Sequence, residues 1–183
     1  MVRKIGHPLS PEYAIGAVTE DGDVICNPQE TAQLDSRWLS AAAEEEMAEA
    51  RRRRSLYLRN IEPIEVQNKI AILVDDGIAT GLTMEAAIHQ LRKRHPRKIV
   101  VGVPVAAVET LDRIRRKVDS LVVVAIPKGS FGAIGSYYRY FEQVDDEEVI
   151  ALMESSRGLN SISSHLLPSR ELTSSHPTFH AKR

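Results

Sequence analysis

Three short and almost wholly apolar runs stand out along the chain, at Ile70 to Val74, Ile99 to Val105 and Leu121 to Ile126. Each reads as a buried strand, the second despite Gly102 and Pro104. Between them the spacing changes to that of helices. Met84, Ala87, Ile88 and Leu91 share one face of a helix predicted from Thr83 to Arg94, which His95-Pro96 ends. Leu111, Ile114 and Val118 do the same for a helix near Glu109 to Lys117. Runs that are apolar throughout, rather than alternating, are expected where helices cover both faces of a parallel sheet. Strand, helix, strand, helix, strand therefore predicts an α/β core with right-handed crossovers.

The flanks are less regular. Ser36 to Leu58 has no Gly or Pro and is rich in helix formers, so it predicts a long helix. Its acidic Glu44 to Glu46 precede its basic Arg51 to Arg54, an order that complements the helix dipole. Glu49 and Arg53 are spaced as an ion pair. The arginine run reads as a solvated helix face, with an anion-binding or interface role as the alternative. Before this helix, residues 1 to 28 are rich in turns, and Ala14 to Val18 with Val24-Ile25 form a candidate edge hairpin. A last helix is expected from Asp145, with Glu148 three positions on and Val149, Leu152 and Met153 on one face. These patterns predict a domain over residues 1–155. Repeated Ser and scattered His and Pro predict a disordered tail over residues 156–183.

Composition narrows the function classes. The 183 residues carry 24 Lys and Arg against 25 Asp and Glu, a formal net charge of -1. Nothing global attracts nucleic acid or an anionic membrane. Cys26 is the only cysteine, which excludes an internal disulfide and a multi-cysteine zinc site. No segment has the length of a membrane span or the apolar core of a secretion signal, so a cytoplasmic protein is expected. His89 and His95 fit a helix surface and its termination, and His165, His176 and His180 are too scattered to argue for a metal site.

The chemistry concentrates where the first run ends, in Asp75-Asp76-Gly77-Ile78-Ala79-Thr80-Gly81-Leu82-Thr83. Two adjacent carboxylates after five apolar residues must reach water, hydroxyls, a cation or backbone donors. Neighbours on a strand point to opposite faces, so hydroxyl recognition suits them better than an acid/base dyad. Gly77 and Gly81 allow a tight path, and backbone N–H groups there, with the orphan donors of the next helix, can receive a phosphate. The alternative is a simple strand-to-helix turn in which Gly shapes the bend and Asp or Thr caps the helix. Without a loop lysine, GxxxxGK[ST] or GxGxxG, an ATPase loop and a dinucleotide fingerprint both fail.

The stretch Ile72 to Thr83 resembles the phosphoribosyl-diphosphate (PRPP) signature of type I phosphoribosyltransferases. Arg3-Lys4-Ile5-Gly6, Ile15 to Val18, Arg52-Arg53, Val103 to Ala106 and Tyr137 to Leu152 resemble one branch, the stand-alone phosphoribosyltransferase-domain proteins of bacteria. The resemblance spans roughly residues 3 to 153. It implies that Asp75 and Asp76 hold the ribose 2- and 3-hydroxyls and support catalysis, and that Ile78, Ala79, Thr80, Gly81, Leu82 and Thr83, with Gly77, surround the 5-phosphate. It places Lys4 near the diphosphate and the residues around Phe131 and Tyr137 near the acceptor. Magnesium is implied as well, bound mainly through PRPP rather than by protein ligands.

The implied activity is transfer of a 5-phosphoribosyl group to a nitrogen acceptor. The branch carries an upstream strand and an arginine- and glycine-rich diphosphate loop, whereas Met1 stands almost directly before Arg3-Lys4. The expectation is therefore a type I phosphoribosyltransferase-like parallel-sheet core, with helices on both faces, incomplete at its amino terminus. An exposed flank and a homodimer would go with that. A protein that binds PRPP or nucleotides without turnover, or an interaction protein, stays open beside the transferase.

Overall fold

The computed structural model of the protein describes residues 1–59, 61 and 64–163. The chain divides into two compact units, residues 1–143 and 144–183.

The first unit contains two three-stranded sheets. The antiparallel sheet comprises β1 (Val2–His7), β2 (Ser10–Thr19) and β3 (Val24–Cys26), in that order. The expected hairpin of residues 14–18 and 24–25 is present within β2 and β3. β1 was not expected, because its basic residues, Gly6 and the following His7-Pro8 hide any alternation. Tertiary contact supplies what the local pattern lacks: Ile5 is buried, and Arg3 pairs with Glu46 at 2.8 Å. A register shift between Ile5 and Gly6 re-aims β2 there, as a bulge does.

After the short α1 (Pro28–Thr31) comes α2 (Ser36–Tyr57), started by the Asp35 carboxylate, which accepts from Arg37 N at 2.8 Å. Its apolar side, with Trp38, Leu39, Ala43 and Met47, packs on Ile5, Ile15 and Val18. The arginine run is engaged by carboxylates and backbone. Arg52 and Arg53 each meet Glu49 at 2.6 Å, Arg54 meets Glu20 at 3.1 Å, and Arg51 Nε donates to the Glu20 carbonyl.

The second sheet is parallel and ordered β4 (Ile70–Val74), β5 (Lys98–Val105), β6 (Ser120–Ala125). α3 (Leu82–Arg92) and α4 (Val108–Arg115) are the crossovers. The α/β class and the parallel core thus stand as the sequence predicted. α3 lies between the sheets: Leu82 and Ala86 contact Ala17 of β2, while Met84 and Ile88 join Ile99, Val101, Val103, Leu111 and Ile114 in the main core.

Among the described residues, α3 and α4 cover the sheet face of Leu73, Val101 and Val123. The other face keeps Ile72 67% exposed, Val74 76%, Val122 56% and Val124 84%. The expectation of helices on both faces is met on one face within these residues. β5, the central strand, alternates between buried Ile99, Val101, Val103 and Val105 and the less buried Val100, Gly102 and Pro104.

Of the second unit, the described part is α5 (Asp146–Ser163), where Asp145 accepts from Glu148 N at 2.8 Å as the capping pattern predicted. The tail expected from residue 156 begins inside this helix, and residues 164–183, with His165, His176 and His180, lie outside the described residues.

Candidate functional site at the end of strand β4

β4 ends at Val74, and Asp75 and Asp76 follow it directly. The Asp76 N–H donates to Asp75 Oδ1 at 3.0 Å, which folds the first carboxylate back over the turn. Asp75 is exposed over part of its surface, yet protein crowds it. This desolvation, with the charge of Asp76 beside it, pushes its carboxyl up to about 6. A group held that far from its ordinary value is poorly paired by its own protein. It would gain from a hydroxyl donor or a cation.

Backbone pairing then resumes for one residue. Ile78 N donates to Val105 O at 2.9 Å and Ala107 N to Ile78 O at 2.8 Å, so Ile78 extends the parallel sheet beyond the acidic turn. Gly77 makes that approach feasible, since a Cβ there would stand 2.9 Å from Ile134 Cγ2 and 3.0 Å from Val105 Cγ1. Gly81 is the N-cap of α3 with φ 77°, a left-handed conformation that favours glycine. Glu85 N returns to Gly81 O at 2.9 Å, closing the first helical turn.

The loop's carbonyls and amides are used unequally. The Ala79 carbonyl accepts from Thr110 Oγ1 at 2.6 Å, and the Thr80 carbonyl accepts from Arg113 Nη2. The N–H groups of Ala79, Thr80 and Gly81 have no partner among the described residues. The first amides of α3, from Leu82 and Thr83, add the unpaired donors of any helix start. Such a cluster at the positive end of a helix can receive an oxyanion. Thr80 and Thr83 make no capping bond, and α3 has no side-chain cap.

The aromatic segment after β6 closes against the acidic turn. Tyr138 donates its hydroxyl to the Asp76 carbonyl at 2.6 Å, and its own pKa is raised by burial and by the charges of Asp76 and Asp75. Phe131 and Tyr137 stack with centroids 5.1 Å apart, and Tyr138 and Phe141 at 5.0 Å. Of these rings, Tyr138 reaches the acidic turn through its hydroxyl.

The structure thus brings together Asp75, Asp76, Gly77, Ile78, Ala79, Thr80, Gly81, Leu82 and Thr83. It does not bring Lys4 to them by any hydrogen bond or ion pair. Lys4, in β1 opposite Ala17, holds Glu12 at 2.7 Å instead. A cavity of about 230 Å³ touches the loop through Thr80 and Leu82 but lies away from the carboxylates, being lined also by Cys26, Asn27, Glu85 and Arg113. Thr110, Arg113 and Tyr138 contact the site from 31, 33 and 62 residues away in sequence, and no local pattern announced the first two. For Tyr138 alone the signal existed, in the cluster of aromatic residues and glycines after β6.

Comparison with known proteins points to one family. The family model described as phosphoribosyl transferase domain matches residues 39–122. Two Mycobacterium tuberculosis proteins, named "Putative phosphoribosyl transferase Rv0571c" (strain H37Rv) and "Putative phosphoribosyl transferase MT0597" (strain CDC 1551), are each 36% identical over 156 residues, 84% of this chain. The chain spans 35% of the length of these curated relatives. The crystal structure of TT1426 from Thermus thermophilus superposes with a TM-score of 0.63 at 36% identity, covering 85% of this chain and 74% of that one. The chain belongs to the phosphoribosyltransferase family.

Proposed function

We propose that this chain binds PRPP at the end of β4 and serves PRPP-dependent transfer of a 5-phosphoribosyl group to a nitrogen acceptor. The observation that carries this reading is the pairing of two functions on nine consecutive residues. Asp75 and Asp76 offer carboxylates to ribose hydroxyls, and the unpaired amides of residues 79–81 with the α3 start offer donors to the 5-phosphate. The family membership supports the same ligand class.

In the transfer, the acceptor nitrogen forms a bond to C1 while the C1–O bond to diphosphate breaks and its electron pair leaves with diphosphate. The acceptor's proton goes to water. Positive charge grows on the ribose ring meanwhile, and carboxylates fixed beside the ring stabilise it more than the ground state, which is the condition for catalysis. The loop binds the phosphate equally before and during the reaction and so anchors rather than accelerates. Tyr138, Phe131 and Tyr137 would keep water from the acceptor side.

Magnesium fits this donor set as a substrate-borne ion. Among the described residues no three His, Cys, Asp or Glu are grouped to hold a metal. Asp75 and Asp76 would lie beside an ion carried mainly by PRPP, and their hard carboxylate oxygens suit a small divalent cation. Bound there, it would neutralise charge on the leaving diphosphate.

One observation favours a second reading, PRPP or nucleotide binding without turnover. Lys4, the cation expected at the diphosphate, is occupied by Glu12. The two readings separate in an assay of magnesium-dependent diphosphate release with purine, pyrimidine and other nitrogen acceptors. Release that disappears in Asp75→Asn and Asp76→Asn establishes transfer, whereas PRPP binding with no release from any acceptor leaves the binding protein.

A further inference from the structure

The loop that faces the ligand is held from behind, and by side chains of another helix. Thr110, buried in α4, donates to the Ala79 carbonyl at 2.6 Å. Arg113, one turn on, donates to the Thr80 carbonyl through Nη2 and pairs with Glu85 through Nε. Glu85 is only 5% exposed and sits in the first turn of α3, where its second oxygen meets Lys117. A carboxylate so buried is stable only with such partners, and here two cations share it.

We propose that Thr110 and Arg113, with Glu85 orienting the guanidinium, form a clamp that sets the loop open for the phosphate, and that Arg113 is a positioning residue of the ribose-phosphate site. This rests on the reading of that site given above. The reason lies in the peptide plane. The C=O and N–H of a trans peptide point in opposite directions. Tying the Ala79 carbonyl to Thr110 therefore turns the Thr80 N–H away from α4, and tying the Thr80 carbonyl to Arg113 does the same for the Gly81 N–H. Those two amides are among the three that have no partner among the described residues. Were either plane to flip, a carbonyl oxygen would replace an N–H and repel the anion.

Two further features depend on the same contact. Gly81 lies so close to α4 that a Cβ would collide with Thr110 Cγ2, so the clamp and the glycine are matched. Arg113 donates a hydrogen bond to the Thr80 carbonyl and stands in ion-pair contact with Glu85 Oε1, a buried atom with no hydrogen-bond partner among the described residues, and a lysine ammonium on its flexible stem does not reproduce that planar reach. Arg113 also brings positive charge behind amides that already favour an anion.

The test uses the full chain with Arg113→Ala, Arg113→Lys and Thr110→Val, read by calorimetric titration of ribose 5-phosphate, thermal unfolding and backbone amide order parameters from nuclear magnetic relaxation. Arg113→Ala removes a partner of buried Glu85 and is expected to lower the Tm as well as the affinity. Arg113→Lys keeps the ion pair, so its Tm should return to near the parent value. Its ribose 5-phosphate Kd should remain about tenfold weaker, as should that of Thr110→Val, with lower order parameters at Thr80 and Gly81 in both. Parental affinity and order parameters in Arg113→Lys would reduce Arg113 to a stabilising ion pair and overturn the proposal. If the parent chain does not bind ribose 5-phosphate, the site reading itself falls. The clamp is then judged by the order parameters alone: parental values at Thr80 and Gly81 in Arg113→Lys and Thr110→Val dismiss it, and lower values retain it.

Discussion

Asp75 and Asp76 are neighbours on one backbone turn, and the first bears the cost of the second. The Asp75 carboxyl is pushed up to about 6 from an ordinary value of 3.8, by desolvation and then by the charge of Asp76. The folded state therefore holds a proton on Asp75 more tightly than the unfolded chain does. Stability from this group is present below pH 4, is lost as pH rises through about 6, and changes little beyond that. Asp75→Asn removes the loss. We expect the variant to melt higher than the parent at pH 7.5 and with a smaller difference at pH 4, by about 1 kcal/mol at the higher pH after allowing for solvent screening of a partly exposed group. Paired melting curves across that range check it; a variant that is less stable at pH 7.5 would show that Asp75 is satisfied within the fold, contrary to the proposal that it binds a ligand.

At the scale of elements, the site is the meeting of β4, the start of α3 and the side of α4. Gly81→Ala tests that meeting. Alanine at φ 77° is strained, and its Cβ would enter Thr110, so we expect a loss of about 3 kcal/mol in chemical denaturation. A loss below about 0.5 kcal/mol would mean that α3 and α4 do not approach there. The sequence disclosed β4 with its true bounds, since five apolar residues between polar neighbours leave no ambiguity. It disclosed α3 and α4 to within a residue or two, because their apolar faces repeat at helical spacing. It also disclosed the acidic turn and the loop, whose residue types are tied to their backbone path. β1 was hidden, because only pairing with β2 and cover from α2 make a strand of Val2 to His7. The Thr110 and Arg113 contacts were hidden as well: their partners are backbone carbonyls, which carry no residue signature.

For the whole molecule, the sheet face that no element of the first unit covers among the described residues matters most. Ile72, Val74, Val122 and Val124 alternate with core residues on β4 and β6 and leave apolar side chains exposed on either side of β5. Exposed patches of this kind drive association. We expect the chain alone to associate in a concentration-dependent manner in sedimentation velocity, and Ile72→Lys combined with Val124→Lys to shift it toward monomer without lowering ribose 5-phosphate affinity. Unchanged sedimentation in the double variant would remove this face as the cause. No helix of the described residues is long and apolar enough to cross a membrane.

The central claim is that the turn after β4 is a ribose-phosphate site, and titration of PRPP in the presence of magnesium tests it most directly. The account predicts saturable binding that weakens at least tenfold in Asp75→Asn and in Asp76→Asn, with both variants folded as judged by circular dichroism. Absence of binding by the folded parent, or undiminished binding by both variants, would contradict it.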